Sequence, residues 1–404
     1  MVSQTMLDNR ESGKISGSNG EESITPETEA LFNTPFHLEQ EEAITLSKNY
    51  VLHMDTTKHG SERVLALGLS SYEACVYSMD TSLRCTATLP SETTPLVDLR
   101  FASYNPSLLY TGCSQGIIKL WDLRTTTKAV QEFRDTSDPK SNGLHDREFC
   151  SFDVNISGGF VCAGTAVTDG DAYLMFWDTR KASLLGGYWE CHMDDITQVK
   201  FHPSEPDKLV TGSTDGLINM YDISQSDEDE ALLQSFNTES SVEKVKWHEG
   251  SEMSISCVTH TADVQLWHLE DGAPYNSFTR EDMESVVQMN NKNLAESLYV
   301  ADVHSTSQPD QFMVLTGSNK SVSRLRSAVT KEGKLSPYSS FHGNKQIVRC
   351  SWFDPQGGLL VTAGEGGIVS LWKAGATENV TSPTQLKVTS KLKEKSHKTK
   401  SKPY

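Results

Sequence analysis

Cys191-His192 places a thiol beside an imidazole, the beginnings of a nucleophile and its base. Acyl transfer also needs a group to orient the base and donors for a developing oxyanion. The sequence sets neither beside the pair, and neighbours on an extended chain point to opposite faces. The carboxylate pairs Asp169-Gly170-Asp171 and Asp194-Asp195 supply hard-cation ligands, but without the terminal Glu of a calcium loop. Gly364-Glu365-Gly366-Gly367 has the glycines of a phosphate cradle and lacks the Lys-Ser or Lys-Thr that completes one. Each motif suits a turn better than a reaction. The chain therefore reads as non-enzymatic, with no cofactor and no metal.

The elements that position these residues recur. Trp121-Asp122, Trp177-Asp178, Tyr221-Asp222, Trp267-His268 and Trp372-Lys373 each close an alternating run that follows a small-residue turn. Tyr77 and Arg326 hold the closing place in two weaker copies. The steps between closing residues are 44, 56, 44, 46, 59 and 46 residues. In one copy, Leu209-Val210 begins a buried strand, Thr214-Asp215-Gly216 makes a tight turn, and Leu217 to Tyr221 resumes the alternation. The two long steps hold insertions, one across Asp135–Asn142 and the Thr168–Asp171 turn, the other across Glu281–Glu296.

Across roughly residues 49–373 these repeats resemble the WD-repeat β-propeller family. The resemblance implies an all-β fold: a single seven-bladed β-propeller of four-stranded antiparallel blades, closed by an N-terminal strand. The expected boundaries are an acidic disordered tail at 1–45, the propeller at 46–373 and a Lys-rich disordered tail at 374–404. The run 49–55 is expected to complete the seventh blade and so remove a free sheet edge.

The resemblance also implies a structural network of a loop His, a strand Ser or Thr, a turn Asp and the closing aromatic. The fourth repeat offers His192, Ser213 or Thr211, Asp215 and Tyr221; the seventh offers His342, Thr362, Glu365 and Trp372. Family propellers present loops and a channel to other proteins. Tyr188, Trp189 and Phe341, which precede the loop histidines, are the candidate anchors for such a partner.

Charge narrows the partner. The net charge is −18, and residues 1–45 hold nine acids against two bases, while 373–404 hold eight Lys against two Glu. The stretch between them carries −17. Such a body disfavours direct contact with nucleic acid, whose backbone is held by Lys and Arg. The Lys-rich tail is a candidate nuclear or nucleolar address, or an arm for RNA. Ser224 and Ser226 precede acids and are candidate phosphorylation sites.

The eight cysteines form no C-x-x-C pair, which fits a reducing compartment. No signal pattern or membrane-length apolar run occurs. The expected role is an intracellular scaffold, cytoplasmic or nuclear, that binds one or more proteins. The rivals are an RNA-associated assembly factor of ribosome production and, more remotely, a propeller hydrolase.

Overall fold

The computed structural model describes residues 30–32, 36–44, 49–59, 62–80, 82–125, 128–137, 147–225, 227–250, 252–287 and 297–375. The alternating runs become seven antiparallel sheets of four strands each. Six sheets are consecutive in sequence: blade 1 at 51–89, blade 2 at 96–134, blade 3 at 149–192, blade 4 at 198–237, blade 5 at 242–278 and blade 6 at 298–340. Blade 7 joins 348–374 to the strand Phe36–Ala43.

In such a meander, the first-to-second and third-to-fourth connections lie on one face. The second-to-third turns and the blade-to-blade crossings lie on the other. Gly216 takes φ +88 in one second-to-third turn, where a side chain would be strained. At Gly364 a Cβ would stand 1.9 Å from the Ile347 carbonyl oxygen, so the crossing into blade 7 requires glycine.

The ring is closed by an N-terminal strand, but not by 49–55. Val51–His59 is the inner strand of blade 1 and pairs along Glu62–Leu69. The closing strand is Phe36–Ala43, with Phe36 opposite Ala374 and Leu38 opposite Trp372. Residues 36–43 thus belong to a blade, although the sequence reading places them in a disordered tail. The reason is composition: FHLEQEEA offers two large apolar side chains, because an outermost strand buries little. Phe36 nonetheless supplies the lock, its ring 5.3 Å from Phe341 and 6.2 Å from Phe353.

The core lies between blades. Trp267 of blade 5 meets Phe236 of blade 4 edge-on at 5.4 Å, within a cluster that also holds Val210, Ile218 and Ile255. Trp121, Trp177, Tyr221, Trp267 and Trp372 are all buried and stand at the same register, opposite Leu109, Val161, Leu209, Ile255 and Leu360.

Blade 6 has all four strands, and its register moves the closing position. Val314 faces Ala328, so alanine stands where the aromatic is expected, and Arg326 lies two residues earlier, opposite Thr316. The helix Arg280–Val286 fills the vacated space. Met283 and Val287 join the cluster containing Ala328. Arg326, 2% exposed, donates to the Val287 carbonyl at 2.5 Å and lies over the Phe32 ring.

Among the described residues, two short helices decorate the ring. Helix α1, Glu228–Ala231, starts from an Asp227 cap inside the acidic loop of blade 4. Helix α2, Arg280–Val286, has a Thr279–Asp282 capping box and lies in the second long insertion. Much of that insertion, Ser226, part of the Asp135–Asn142 loop, most of the N-terminal tail and the Lys-rich tail lie outside the described residues. No helix among the described residues is long and apolar enough to cross a membrane.

Candidate functional site

His192 ends the outermost strand of blade 3, and Asp215 occupies the second-to-third turn of blade 4. The imidazole Nδ1 lies 2.9 Å from the Asp215 carboxylate and Nε2 lies 2.8 Å from the Thr211 hydroxyl. Thr211, not Ser213, therefore completes the relay. Ser213 works in the turn itself, donating to the Asp194 carbonyl at 3.1 Å and accepting from the Asp215 N–H at 3.0 Å.

The Asp215 carboxylate also accepts from the backbone of Met193 and Leu217. Burial works to raise its pKa, but the His192 hydrogen bond, with these backbone bonds behind it, holds it below the usual carboxylate range. Tyr221 takes part differently from the expected Trp. Its hydroxyl accepts from Asn219, which also donates to the Cys191 carbonyl at 2.8 Å. Asn219 was not foreseen; a buried amide within a strand is its only sequence signal.

The arrangement leaves Cys191 no role as a nucleophile beside His192. Its thiol donates to the Ala172 carbonyl at 3.2 Å, and burial pushes its pKa up to about 12. All eight cysteines are free thiols. Among the described residues, no three His, Cys, Asp or Glu side chains converge as a metal site.

In blade 7 the Trp372 indole donates to Thr362 at 2.9 Å. His342 is exposed and Glu365 pairs with Arg349, so neither extends that bond into the expected relay. The buried Gln346 takes over the turn, accepting from Gly366 and donating to Ile368.

The other closing Trp residues vary with one neighbour. Trp121 finds the Thr111 hydroxyl at 2.8 Å. Blade 3 has Ala163 at that place, and Trp177 donates instead to the Arg134 carbonyl of blade 2 at 2.9 Å. Blade 5 has Cys257 there, and the Trp267 indole N–H finds no partner. Asp122 and Asp178 accept from the backbone N–H two residues on and cap the turn behind each strand.

Two of the three candidate anchors are interior. Tyr188 is 7% exposed, its ring 5.0 Å from Phe176 and 5.4 Å from Tyr221. Phe341 is 0% exposed and sits edge-on to Trp372 at 5.4 Å. Both pack between blades, so neither is available to a partner. Trp189 is 41% exposed. It stands edge-on to Tyr173 at 5.1 Å, under the Arg147 guanidinium at 5.4 Å, with its backbone N–H held by Glu228 at 2.7 Å.

The resemblance implies a central channel, but the residues that line it are not named by the sequence analysis. Its inner strands carry ion pairs that join blades across the ring. Arg100 pairs with Asp98 at 2.6 Å and reaches Asp153 of blade 3 at 3.3 Å, while Lys200 of blade 4 reaches back to Asp98 at 3.4 Å. On the other side Lys246 pairs with Asp302 at 3.3 Å, and His304 Nε2 lies 2.8 Å from the Ser351 hydroxyl of blade 7. Burial pushes the pKa of Asp55 up to about 6, although its carboxylate accepts from Phe101 of the next blade at 2.7 Å.

Several of the inner-strand cations and carboxylates are thus paired with one another. The channel mouth on the first-to-second-strand face opens into two joined hollows, of about 600 Å³ beside Lys200, Lys246 and Gln356, and about 260 Å³ beside Asp55, Arg100 and Ile156. The sequence signal was present in Asp98-Leu-Arg100 and Lys244-Val-Lys246, charged residues alternating with buried ones.

Seven four-stranded blades, six of them closed by an aromatic and one carrying a His–Thr–Asp relay, define a WD-repeat β-propeller. Residues 76–305 match the family described as Nucleolar protein 10-like, N-terminal domain, and residues 335–373 match the WD domain, G-beta repeat. The chain belongs to this propeller family. It is 26% identical over 336 residues to an uncharacterized WD repeat-containing protein of Saccharomyces cerevisiae, covering 81% of this chain and 79% of the relative. It is 29% identical over 170 residues to the WD repeat-containing protein GTS1 of Arabidopsis thaliana, covering 42% of this chain and 40% of that protein. The WD repeat-containing protein 89 homolog of Dictyostelium discoideum is 22% identical over 302 residues, covering 74% and 77%.

Proposed function

We propose that this protein is a non-enzymatic scaffold that holds partner proteins within a nuclear, nucleolar assembly. The observation that carries the reading is the channel mouth. Residues of blades 4 to 7 surround a hollow of about 600 Å³, those of blades 1 to 4 surround one of about 260 Å³, and inter-blade ion pairs tie the strands beneath them. Rigid loops around a concavity hold a partner segment at low ordering cost. The polar groups that resemble catalysts are instead committed to structural bonds, as at His192 and Cys191.

The test is affinity purification with mass spectrometry from cells, comparing wild type with Glu249→Arg/Gln356→Arg. Both residues are exposed at the mouth and outside the buried ion pairs. Partners lost only in the variant support the reading; an unchanged partner set removes the mouth as the site.

A second reading is an RNA-associated role in ribosome production, favoured by the match to the Nucleolar protein 10-like family and by the seven Lys from 387 to 402. In this reading the tail, and not the acidic ring, contacts RNA. Truncation after Gly375 should then abolish both nucleolar enrichment and salt-sensitive RNA binding. Retention of both would exclude the tail.

A further inference from the structure

A second surface lies on the outer rim, away from the channel. Four of the twelve exposed large apolar side chains among the described residues are Leu185 and Trp189 on the outermost strand of blade 3 and Leu232 and Leu233 at the start of the outermost strand of blade 4. The two rims are tied together. Glu228 of α1 accepts from the backbone of Trp189 at 2.7 Å and of Glu190 at 3.1 Å, and the Tyr188 hydroxyl donates to the Gln225 carbonyl at 3.4 Å.

The Trp189 ring is held in place. It lies over Gly187, whose Cβ would be 3.5 Å from two ring atoms, and it is flanked by Tyr173 and Arg147. A half-exposed Trp held by its neighbours, on two tied rims that also expose Leu185, Leu232 and Leu233, is the composition of an interface anchor. The rim around it is acidic: Glu190, Asp227, Glu228, Asp229 and Glu230. The nearby cation, Arg147, is paired with Asp135.

We propose that this rim docks a Lys- and Arg-rich segment of a partner protein, whose aliphatic side chains seat on Trp189, Leu232 and Leu233. Charge complementarity selects the occupant. Its Lys and Arg face the five carboxylates, while its apolar side chains cover surface that otherwise meets water. This assignment rests on the scaffold reading but uses a different surface.

The experiment is fluorescence-polarisation titration of the purified full chain with a short synthetic peptide alternating Lys or Arg with Leu. Versions with Ser for Leu, or Glu for Lys and Arg, serve as controls. The parent peptide should bind more tightly than both, and its affinity should fall as salt rises. Asp229→Lys/Glu230→Lys and Trp189→Ala should each weaken binding on the order of tenfold. Leu233→Ser, which sits outside the Arg147–Tyr173 cluster, should also weaken it and guards against misfolding of the Trp189 variant. A charge-matched pair on the outermost strand of blade 7, across the ring, Glu39→Lys/Glu42→Lys, should change affinity by less than about twofold.

Equal binding of the acidic peptide, or equal losses in the near and far charge swaps, would overturn the proposal. A rise of about tenfold on truncation after Gly375 would identify the chain's own Lys-rich tail as the occupant and also overturn it. Because the probe is a peptide and the readout is in vitro, failure here does not bear on partners captured at the channel mouth.

Discussion

His192 bridges the Asp215 carboxylate and the Thr211 hydroxyl, and its removal leaves two polar groups in a dry site. His192→Ala should lower unfolding free energy by about 1–3 kcal/mol, read from urea denaturation. If the loss were within experimental error, the relay would be dispensable to the fold.

Two other buried histidines set the pH dependence. Burial lowers the pKa of both His248 and His304 to about 3, and each contacts hydroxyls that suit a neutral ring. The unfolded chain, with histidines near 6.5, binds protons that the folded ring refuses. Their contribution is thus present above the unfolded value and lost as pH falls toward the folded one. Asp55 works in the opposite direction. With its pKa raised to about 6, it takes up a proton in the folded state first, which offsets part of the loss between about pH 6 and 4. Thermal scans from pH 7 to pH 4 should show falling stability, with a shallower fall in His248→Gln. A flat profile would contradict the neutral, buried assignment.

At the scale of the element, closing position and strand partner act together. Trp267 lacks an indole acceptor because Cys257 stands where Thr111 and Thr362 stand in blades 2 and 7. Cys257→Thr should therefore raise stability by about 1 kcal/mol, the worth of one hydrogen bond. A lower melting temperature would mean that the added methyl strains the cluster. Trp372→Ala should cost about 3–5 kcal/mol.

The strand Phe36–Ala43 yields a sharper test. Deleting residues 1–48 exposes the edge of blade 7 and uncovers Phe341, so it should lower the melting temperature and broaden the transition. Deleting residues 1–29 serves as the control. Equal melting of the two truncations would contradict the closure.

These elements also mark what could be read from the chain. Trp121, Trp177 and Trp372 announce their blades because a large aromatic after an alternating run has one place to go. Phe36–Ala43 was missed because an outermost strand is apolar on few positions. In blade 6 the closing residue is Ala328, and the compensating bulk comes from Met283 and Val287 in another segment, which no local pattern encodes. Site residues were harder. His192 and Asp215 were legible through the repeat, whereas Tyr188 and Phe341 are aromatic for inter-blade packing and carry the same local signature as an exposed anchor.

For the whole molecule, the ring divides its charge. Inner strands pair cations with carboxylates between blades around a channel, while the rim of blades 3 and 4 carries Glu190, Asp227, Glu228, Asp229 and Glu230. The division leaves two surfaces of different chemistry on one rigid body, a walled mouth and an acidic rim with apolar anchors. The central claim is that the ring captures proteins. Its most direct measurement is quantitative affinity purification with mass spectrometry of wild type, Glu249→Arg/Gln356→Arg and Asp229→Lys/Glu230→Lys, each first confirmed to melt like wild type. The account predicts a specific set of nuclear proteins, with different members lost in the two variants. No specific partner with wild type would contradict it.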